Sequence, residues 1–333
     1  MKLVSYSANG NVHLGVLEGH NVYSVSELDQ SLPDDIIAWL TLGETAKQVL
    51  TTALDLLKAG KLQVNPIADY QLLAPVPRPT SCRDGYAFRQ HVAAARRNRG
   101  VEMIKEFDQY PIFYFTNHLA VQGPGEIYCM PDHFQQLDFE LEVAIVIGKE
   151  GRNIRAEEAD AYIGGFTIMN DLSARKLQME EMLLNLGPAK GKDFSTIIGP
   201  WLVTPEELEP LKVPAKTGHT GNNYNLAMKC LVNQQQVSAG NMADMDWTFA
   251  EIIERCSYGV TLYPGDVIGS GTVGTGCFLE LNGTAKLQNP NHQPQWLQPN
   301  DIVTMQIDGL GTLENIIRAE ATDWSILQRK KNS

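Results

Sequence analysis

Leu137–Gly148 reads LDFELEVAIVIG, and the way its charges are spaced decides how the chain has to be built. Side chains of a strand alternate between its two faces, so Asp138, Glu140 and Glu142 share one face while Phe139, Leu141 and Val143 take the other. Neighbouring carboxylates would then lie about 6 to 7 Å apart at the backbone, and such charges repel unless something positive sits among them. Taken alone, a D-x-E-x-E run is equally well read as the wet face of an exposed strand. The VAIVIG that follows marks an interior strand, where acids facing water are out of place. An oxygen-ligated hard cation such as Mg2+ would resolve the conflict.

Outward from this stretch the chain reads as an α+β protein. Beyond Pro79 strand-like segments predominate: GGFTIMN, YGVTLYPGDVIGSGT, CFLELNGTAKL and NDIVTMQIDGLG, with helical stretches near 86–99, 155–163, 171–184 and 247–257. LYPGDVIGSG from Leu262 and LQPNDIVTMQ from Leu297 echo each other, and both read as turn-launched strands of one sheet. Strand and helix do not alternate steadily, so a mixed sheet or β-roll with helices packed outside is favoured over a doubly wound parallel fold. The run APVPRP, Ala74–Pro79, has three prolines in six residues and suits a connection between domains. It divides a small N-terminal β-rich domain, residues 1–75, from a larger domain, residues 76–333. The smaller one includes a helix from Glu44 to Leu57, whose stripe of Ala46, Val49, Leu50, Ala53, Leu54 and Leu57 reads as core and which stops at Gly60.

Composition narrows the function classes. The 333 residues are 43% hydrophobic and 20% charged, which excludes disorder as a global description. Against 27 Lys and Arg stand 39 Asp and Glu, a formal charge of −12, the wrong sign for following a phosphate backbone. No nucleic-acid partner is expected; the basic cluster Arg96, Arg97 and Arg99 reads as a solvated helix end. No apolar run approaches a membrane span, and the opening residues carry no secretory pattern, so no membrane association is expected. Five scattered cysteines without a C-x-x-C pair suit reduced thiols and a cytoplasmic location.

Several other positions can bear chemistry. Asp171 reads as the N-cap of a helix, and Asp171, Arg175 and Gln178 at i, i+4 and i+7 would share one face suited to a carboxylated substrate. A surface pair of Asp171 with Arg175 is an equal reading. If RDGYAFRQH is helical, Asp84 and His91 lie about 10 Å apart along its axis; His91 is the best base candidate. GSGTVG, Gly269–Gly274, satisfies G-x-G-x-x-G, but TGCFLELNG after it reads as loop and strand, whereas a dinucleotide site needs a helix there. Asn282, in NGT, reads as a tight turn.

Together, RDGYAFRQH, DFELEVAIVIG, NDLSARKLQ, LGPAKGKDF with IGPW, GSGTVG and FLEL, in this order, resemble the fumarylacetoacetate hydrolase family over about Leu73 to Ile317. The resemblance implies that family's fold, with the N-terminal residues similar to the small domain that precedes the catalytic one. It implies that Asp84, Glu140, Glu142 and Asp171 ligate one divalent cation, Mg2+ or Ca2+ with Mn2+ also admitted, and that Asp138 is not a ligand. His91 corresponds to the general base and Glu280 to the acid that orients it. Arg175, Gln178 and Lys192 match positions that hold substrate oxygens, Tyr86 and Tyr114 match pocket tyrosines, and Thr272 matches a residue holding a substrate carboxylate. A homodimer is implied as well. The activity implied is hydrolysis of a carbon–carbon bond in a small β-diketo acid, with fumarylacetoacetate, at the end of tyrosine breakdown, as the leading substrate. A 2-oxo acid lyase or an acylpyruvate hydrolase on the same scaffold is the alternative.

Overall fold

Leu141–Ile147 runs through an eleven-stranded mixed sheet in which both of its faces are covered; all seven residues are buried. In the computed structural model, which describes residues 1–331, the strands lie in the order 21–24, 11–18, 2–8, 196–203, 163–171, 141–147, 267–269, 82–85 and 113–116. The pair 267–269 with 82–85 is parallel, and the other neighbours along this path are antiparallel. A second, five-stranded sheet runs 235–241, 227–232, 302–307, 311–319 and 125–129. The α+β class with mixed sheets is what the sequence leads one to expect. Among the described residues no helix is long and apolar enough to cross a membrane.

Alternation along the central strand assigns its two faces to two cores. Phe139, Leu141, Val143, Ile145 and Ile147 enter one core, shared with the second sheet and the helix Phe249–Ser257. Ala144 and Val146 enter the other, against Leu3, Leu14, Trp39, Leu40 and Leu50 of the N-terminal segment. The first 75 residues are thus tied into the rest: Lys2–Ala8 pairs with Thr196–Val203 in the large sheet, and their apolar side chains complete the layer on the carboxylate-bearing face. The Glu44–Lys58 helix buries Ala46, Leu50, Ala53 and Leu54 there.

Local readings are corrected at five places. The acid-rich stretch is two strands, Leu137–Asp138 and Leu141–Ile147, with Glu140 between them giving its N–H to Asn170 Oδ1 at 3.0 Å. Asp84 lies on a strand, Cys82–Gly85, opposite Gly269 and Tyr114, and the helix begins only at Arg89. Asp171 ends the strand Ile163–Asp171 and is no N-cap; the next helix, Arg175–Met182, starts after Ala174. The two echoing segments feed different sheets, Val267–Gly269 the large one and Ile302–Ile307 the small one.

The fifth correction matters most. Phe278–Gln288 is a helix, not a strand, and Asn282 lies inside it. The deciding force comes from far away in sequence: the Asp138 carboxylate accepts the N–H groups of Phe278 at 2.7 Å and Leu279 at 2.9 Å, satisfying two donors a helix start leaves open. Gly283 belongs in this helix because a Cβ there would run into the Asn98 side chain. The helix that a dinucleotide site requires therefore does follow GSGTVG, but its N-terminus already holds the Asp138 carboxylate.

One buried histidine sets an expectation for stability. His133 Nδ1 accepts the N–H of Met130 at 3.2 Å, and its ring lies 3.9 Å from that of Phe194. Burial pushes its pKa down to about 4, with Lys190 acting in the same sense and Asp132 and Asp193 opposing. The folded value lies below the unfolded one, so stability is lost as pH falls from about 6.5 to about 4, by about 3 kcal/mol. His133→Asn keeps an acceptor for Met130 and removes the titration. Urea midpoints taken at pH 7 and at pH 4.5 should converge in the variant relative to wild type; parallel losses in both proteins would show that the ring protonates without cost.

Candidate active site

Five adjacent strands deliver the site in register. Asp171 ends its strand, Glu142 is the second residue of the next, and Gly269, Asp84 and Tyr114 follow on the three beyond. Glu142 pairs with Met169, Ala144 with Gly269, Gly269 with Asp84, and Asp84 with Tyr114. Strands about 4.8 Å apart necessarily crowd side chains projecting from one face at one end. Asp84, Glu140, Glu142 and Asp171 each offer an oxygen within 4.8 Å of the others, and all four are buried.

A cluster of this kind in a poorly solvated place needs compensation. Lys192 Nζ donates to Glu140 Oε2 at 2.6 Å and to Asp171 Oδ2 at 2.5 Å. Arg175 spans Asp138 Oδ2 through Nε at 2.9 Å and Glu140 Oε1 through Nη2 at 2.5 Å, and gives Nη1 to Gln178 Oε1 at 3.0 Å. Tyr114 donates its hydroxyl to Asp171 Oδ2 at 2.5 Å. The Gly271 N–H bridges Asp84 Oδ1 at 3.0 Å and Glu142 Oε2 at 3.1 Å, while the Thr272 hydroxyl reaches Glu142 Oε1 at 3.4 Å.

These partners do not balance all the acids. Burial, with Asp171 next, raises Asp84 to about 8, and burial with Asp84 raises Glu142 well above the usual carboxylate range. Burial raises Asp171 too, although Lys192 opposes it. Glu140 alone moves down: burial works against it, but the cations of Arg175 and Lys192 prevail. Asp171 Oδ1 is buried without a hydrogen-bond partner. An orphaned carboxylate oxygen beside three others is the donor set of a hard divalent cation, and the residues present fit one.

The second unit abuts the first. His91, on the helix Arg89–Asn98, shares a 2.6 Å hydrogen bond between Nδ1 and Glu280 Oε2. Glu280 occupies the first turn of Phe278–Gln288, and its Oε1 accepts the Thr275 N–H at 3.0 Å, so both carboxylate oxygens are fixed. The Tyr86 ring stands edge-on to His91 at 5.9 Å. A ring nitrogen of His91 and an oxygen of Glu140 fall within 4.8 Å, which joins the two units.

Every residue singled out from the sequence therefore lies in one neighbourhood, although Asp171 and Gln178 do not share a helix. Two glycines were not singled out as site residues, and Asp138, set aside as a non-ligand, has a positioning role. Asp138 anchors Arg175 and caps the helix carrying Glu280. Gly269 has no side chain because a Cβ would run into Asp84 Oδ1 and Glu142 Oε2. Gly271, at φ +80, bridges two acids while lying against the backbone of Gly85 and Tyr86. The signal for both glycines was GSGTVG, whose dense glycines mark close approach of carboxylates and backbone in place of a phosphate.

Residues 80–318 match the fumarylacetoacetate (FAA) hydrolase C-terminal family, and the chain belongs to it. Over 328 residues it is 32% identical to the mitochondrial oxaloacetate tautomerase FAHD2A of Bos taurus, covering 95% of this chain and 91% of that one. Its fold is also that of the fumarylacetoacetate hydrolase of Exiguobacterium antarcticum, with a TM-score of 0.69 at 24% identity over 96% of this chain and 100% of that one. The maleylpyruvate hydrolase of Sphingobium, solved with manganese(II) and pyruvate, gives a TM-score of 0.68 at 21% identity over 96% and 99% of the two chains.

The charge balance predicts opposite effects of one substitution. Glu142→Gln removes a carboxyl whose ionisation the buried cluster disfavours, so the metal-free protein is freed of that protonation cost and should gain about 1 to 3 kcal/mol. The same variant should lose at least tenfold in Mg2+ affinity. Thermal unfolding in EDTA and titration calorimetry with Mg2+ measure the two; wild-type affinity in the variant would remove Glu142 from the ligand set.

Proposed function

We propose that this member of the fumarylacetoacetate hydrolase family is a divalent-metal-dependent enzyme that handles the enolate of a β-dicarbonyl acid, with keto–enol tautomerisation of oxaloacetate as its leading reaction. The observation carrying the proposal is the His91–Glu280 pair lying against the carboxylate cluster through Glu140. A likeness that spans nearly the whole chain to a tautomerase named for oxaloacetate supports that substrate.

Asp84, Glu140, Glu142 and Asp171 would hold the cation. When bound, it would supply a Lewis acid that draws charge from the substrate's oxygens and lowers the energy of the enolate. Arg175 and Lys192 put fixed positive charge beside the same place, and Thr272 offers a hydroxyl to a carboxylate. Glu280 holds His91 Nδ1 and so orients the ring for proton transfer. Toward the ketone, protonated His91 gives its proton to C3 while the enol hydroxyl releases its own to solvent, and solvent then reprotonates His91. In the other direction His91 takes the C3 proton and passes it to solvent, and the carbonyl oxygen takes one from solvent.

A second reading, hydrolysis of a carbon–carbon bond in a β-diketo acid such as fumarylacetoacetate, is favoured by a cavity of about 190 Å³ that shares Tyr86 with the site. Apart from Glu106 and Tyr110 its wall is apolar, with Val92, Ile104, Phe107, Ile112 and Trp247 joined by the Tyr86 ring. Such a wall suits an acyl tail and offers nothing to oxaloacetate, which ends in a second carboxylate. Here His91 would take a proton from water, the hydroxide would add to the acyl carbonyl, and the carbon–carbon bond pair would leave as an enolate that is then protonated. A lyase on a 2-oxo acid would need no water. The five unpaired, buried cysteines support a reducing compartment.

Mg2+-loaded protein given oxaloacetate enol, fumarylacetoacetate and an acylpyruvate in parallel separates the readings. Faster enol decay with all carbon retained supports the first; fumarate plus acetoacetate, or pyruvate from the acylpyruvate, supports the second; no change in any arm overturns both. His91→Gln should lower turnover about 10²- to 10⁴-fold while Mg2+ affinity stays within about twofold. Retained turnover would remove His91 from the role of base.

A further inference from the structure

Cys277 is the one buried nucleophilic group at the site that the proposed chemistry leaves idle. It is fully buried and free, and it caps the helix Phe278–Gln288, its Sγ accepting the Glu280 N–H at 3.5 Å. Its sulfur, a ring nitrogen of His91 and an oxygen of Glu140 lie within 4.8 Å of one another, and all three residues are buried. Burial, with Asp138 next, holds the thiol well above its ordinary pKa, so without a metal it is protonated and inert.

We propose that His91, Cys277 and Glu140 form a second metal site, for a borderline-soft divalent ion of the zinc type, whose occupancy takes His91 out of catalysis. Sulfur, imidazole nitrogen and carboxylate oxygen together are zinc ligands, whereas the four-carboxylate cluster next to them suits a hard ion. The histidine is prepared for the role: its Nδ1 is held by Glu280, the carboxylate–histidine arrangement that fixes the tautomer and ring orientation of a metal-ligating imidazole. Glu140 is the carboxylate on which both buried cations converge, Arg175 at 2.5 Å and Lys192 at 2.6 Å, which places it between the two clusters.

Distance and charge both permit it. Bonds of about 2.0 to 2.3 Å put the ligands of a tetrahedral ion about 3.5 Å apart, so atoms within 4.8 Å have to close by about 1 Å, which side-chain rotation supplies. Six buried carboxylates, Asp84, Asp138, Glu140, Glu142, Asp171 and Glu280, face two buried cationic side chains, Arg175 and Lys192. One hard divalent ion leaves this group with surplus negative charge. Binding of the second ion forms a metal–thiolate bond and releases the thiol proton to solvent, with no change in oxidation state.

The test uses the Mg2+-saturated full-length protein, with Co2+ as optical probe and Zn2+ as inhibitor. Wild type should take up Co2+ with a sulfur-to-cobalt charge-transfer absorption in the near ultraviolet, and should lose turnover to Zn2+. Cys277→Ser keeps a favoured N-cap and should retain Mg2+-supported turnover, lose the absorption, and need at least tenfold more Zn2+ for the same inhibition. Cys277→Ala serves as second variant, with circular dichroism confirming the fold of each. Absence of the absorption in wild type overturns the site. Equal Zn2+ sensitivity of wild type and Cys277→Ser overturns it too, because the ion then enters the four-carboxylate cluster only. The absorption does not depend on the reaction proposed above, so its outcome stands apart from whether that reading holds.

Discussion

A surplus of buried carboxylate governs this molecule. Asp84, Glu140, Glu142 and Asp171 are brought within 4.8 Å of one another where water cannot screen them, and no arrangement of the surrounding backbone removes that cost. The chain meets it in part with two buried cations. Arg175 and Lys192 both converge on Glu140, and burial alone would disfavour their charges as well. The remainder shows as carboxyl groups held protonated and as an Asp171 oxygen with no partner. A divalent ion entering such a site would relieve this cost, which is how a protein can store binding energy for a cofactor.

The same network also fixes the geometry of the base. Asp138 binds Arg175 on one side and the first two N–H groups of Phe278–Gln288 on the other, and that helix carries Glu280, which holds His91. Metal cluster and proton-transfer pair are therefore two ends of one connected set of charges. A displaced Arg175 would be felt at His91 without touching it. This coupling suits enolate chemistry, in which charge on oxygen and a proton on carbon change together.

Tautomerisation and carbon–carbon hydrolysis need the same enolate stabilisation and differ in whether His91 addresses carbon or water. A shared centre is consistent with one fold being found in proteins named for both kinds of reaction. Under the proposed readings, what would separate them lies outside the cluster, in the space beside Tyr86, since leaving a charge against an apolar wall is far more costly than leaving a methylene in water.

The sequence by itself determined the α+β class, the helix from Glu44, the two-faced central strand and, through six short segments in order, the family. It also marked Glu140 and Glu142, because a D-x-E-x-E run before an interior strand poses an electrostatic problem that can be seen without coordinates, whereas Asp84 and Asp171 came in as ligands only through the family resemblance. Only the tertiary structure decided that Asp84 and Asp171 sit on strands, that Phe278–Gln288 is a helix, and that Gly269 and Gly271 make room for carboxylates. The reason is physical: periodicity reports which residues are apolar, whereas the partners settling these segments are remote in sequence. The Asp138 carboxylate that starts the helix at Phe278 comes from 140 residues away, and no local pattern carries that information.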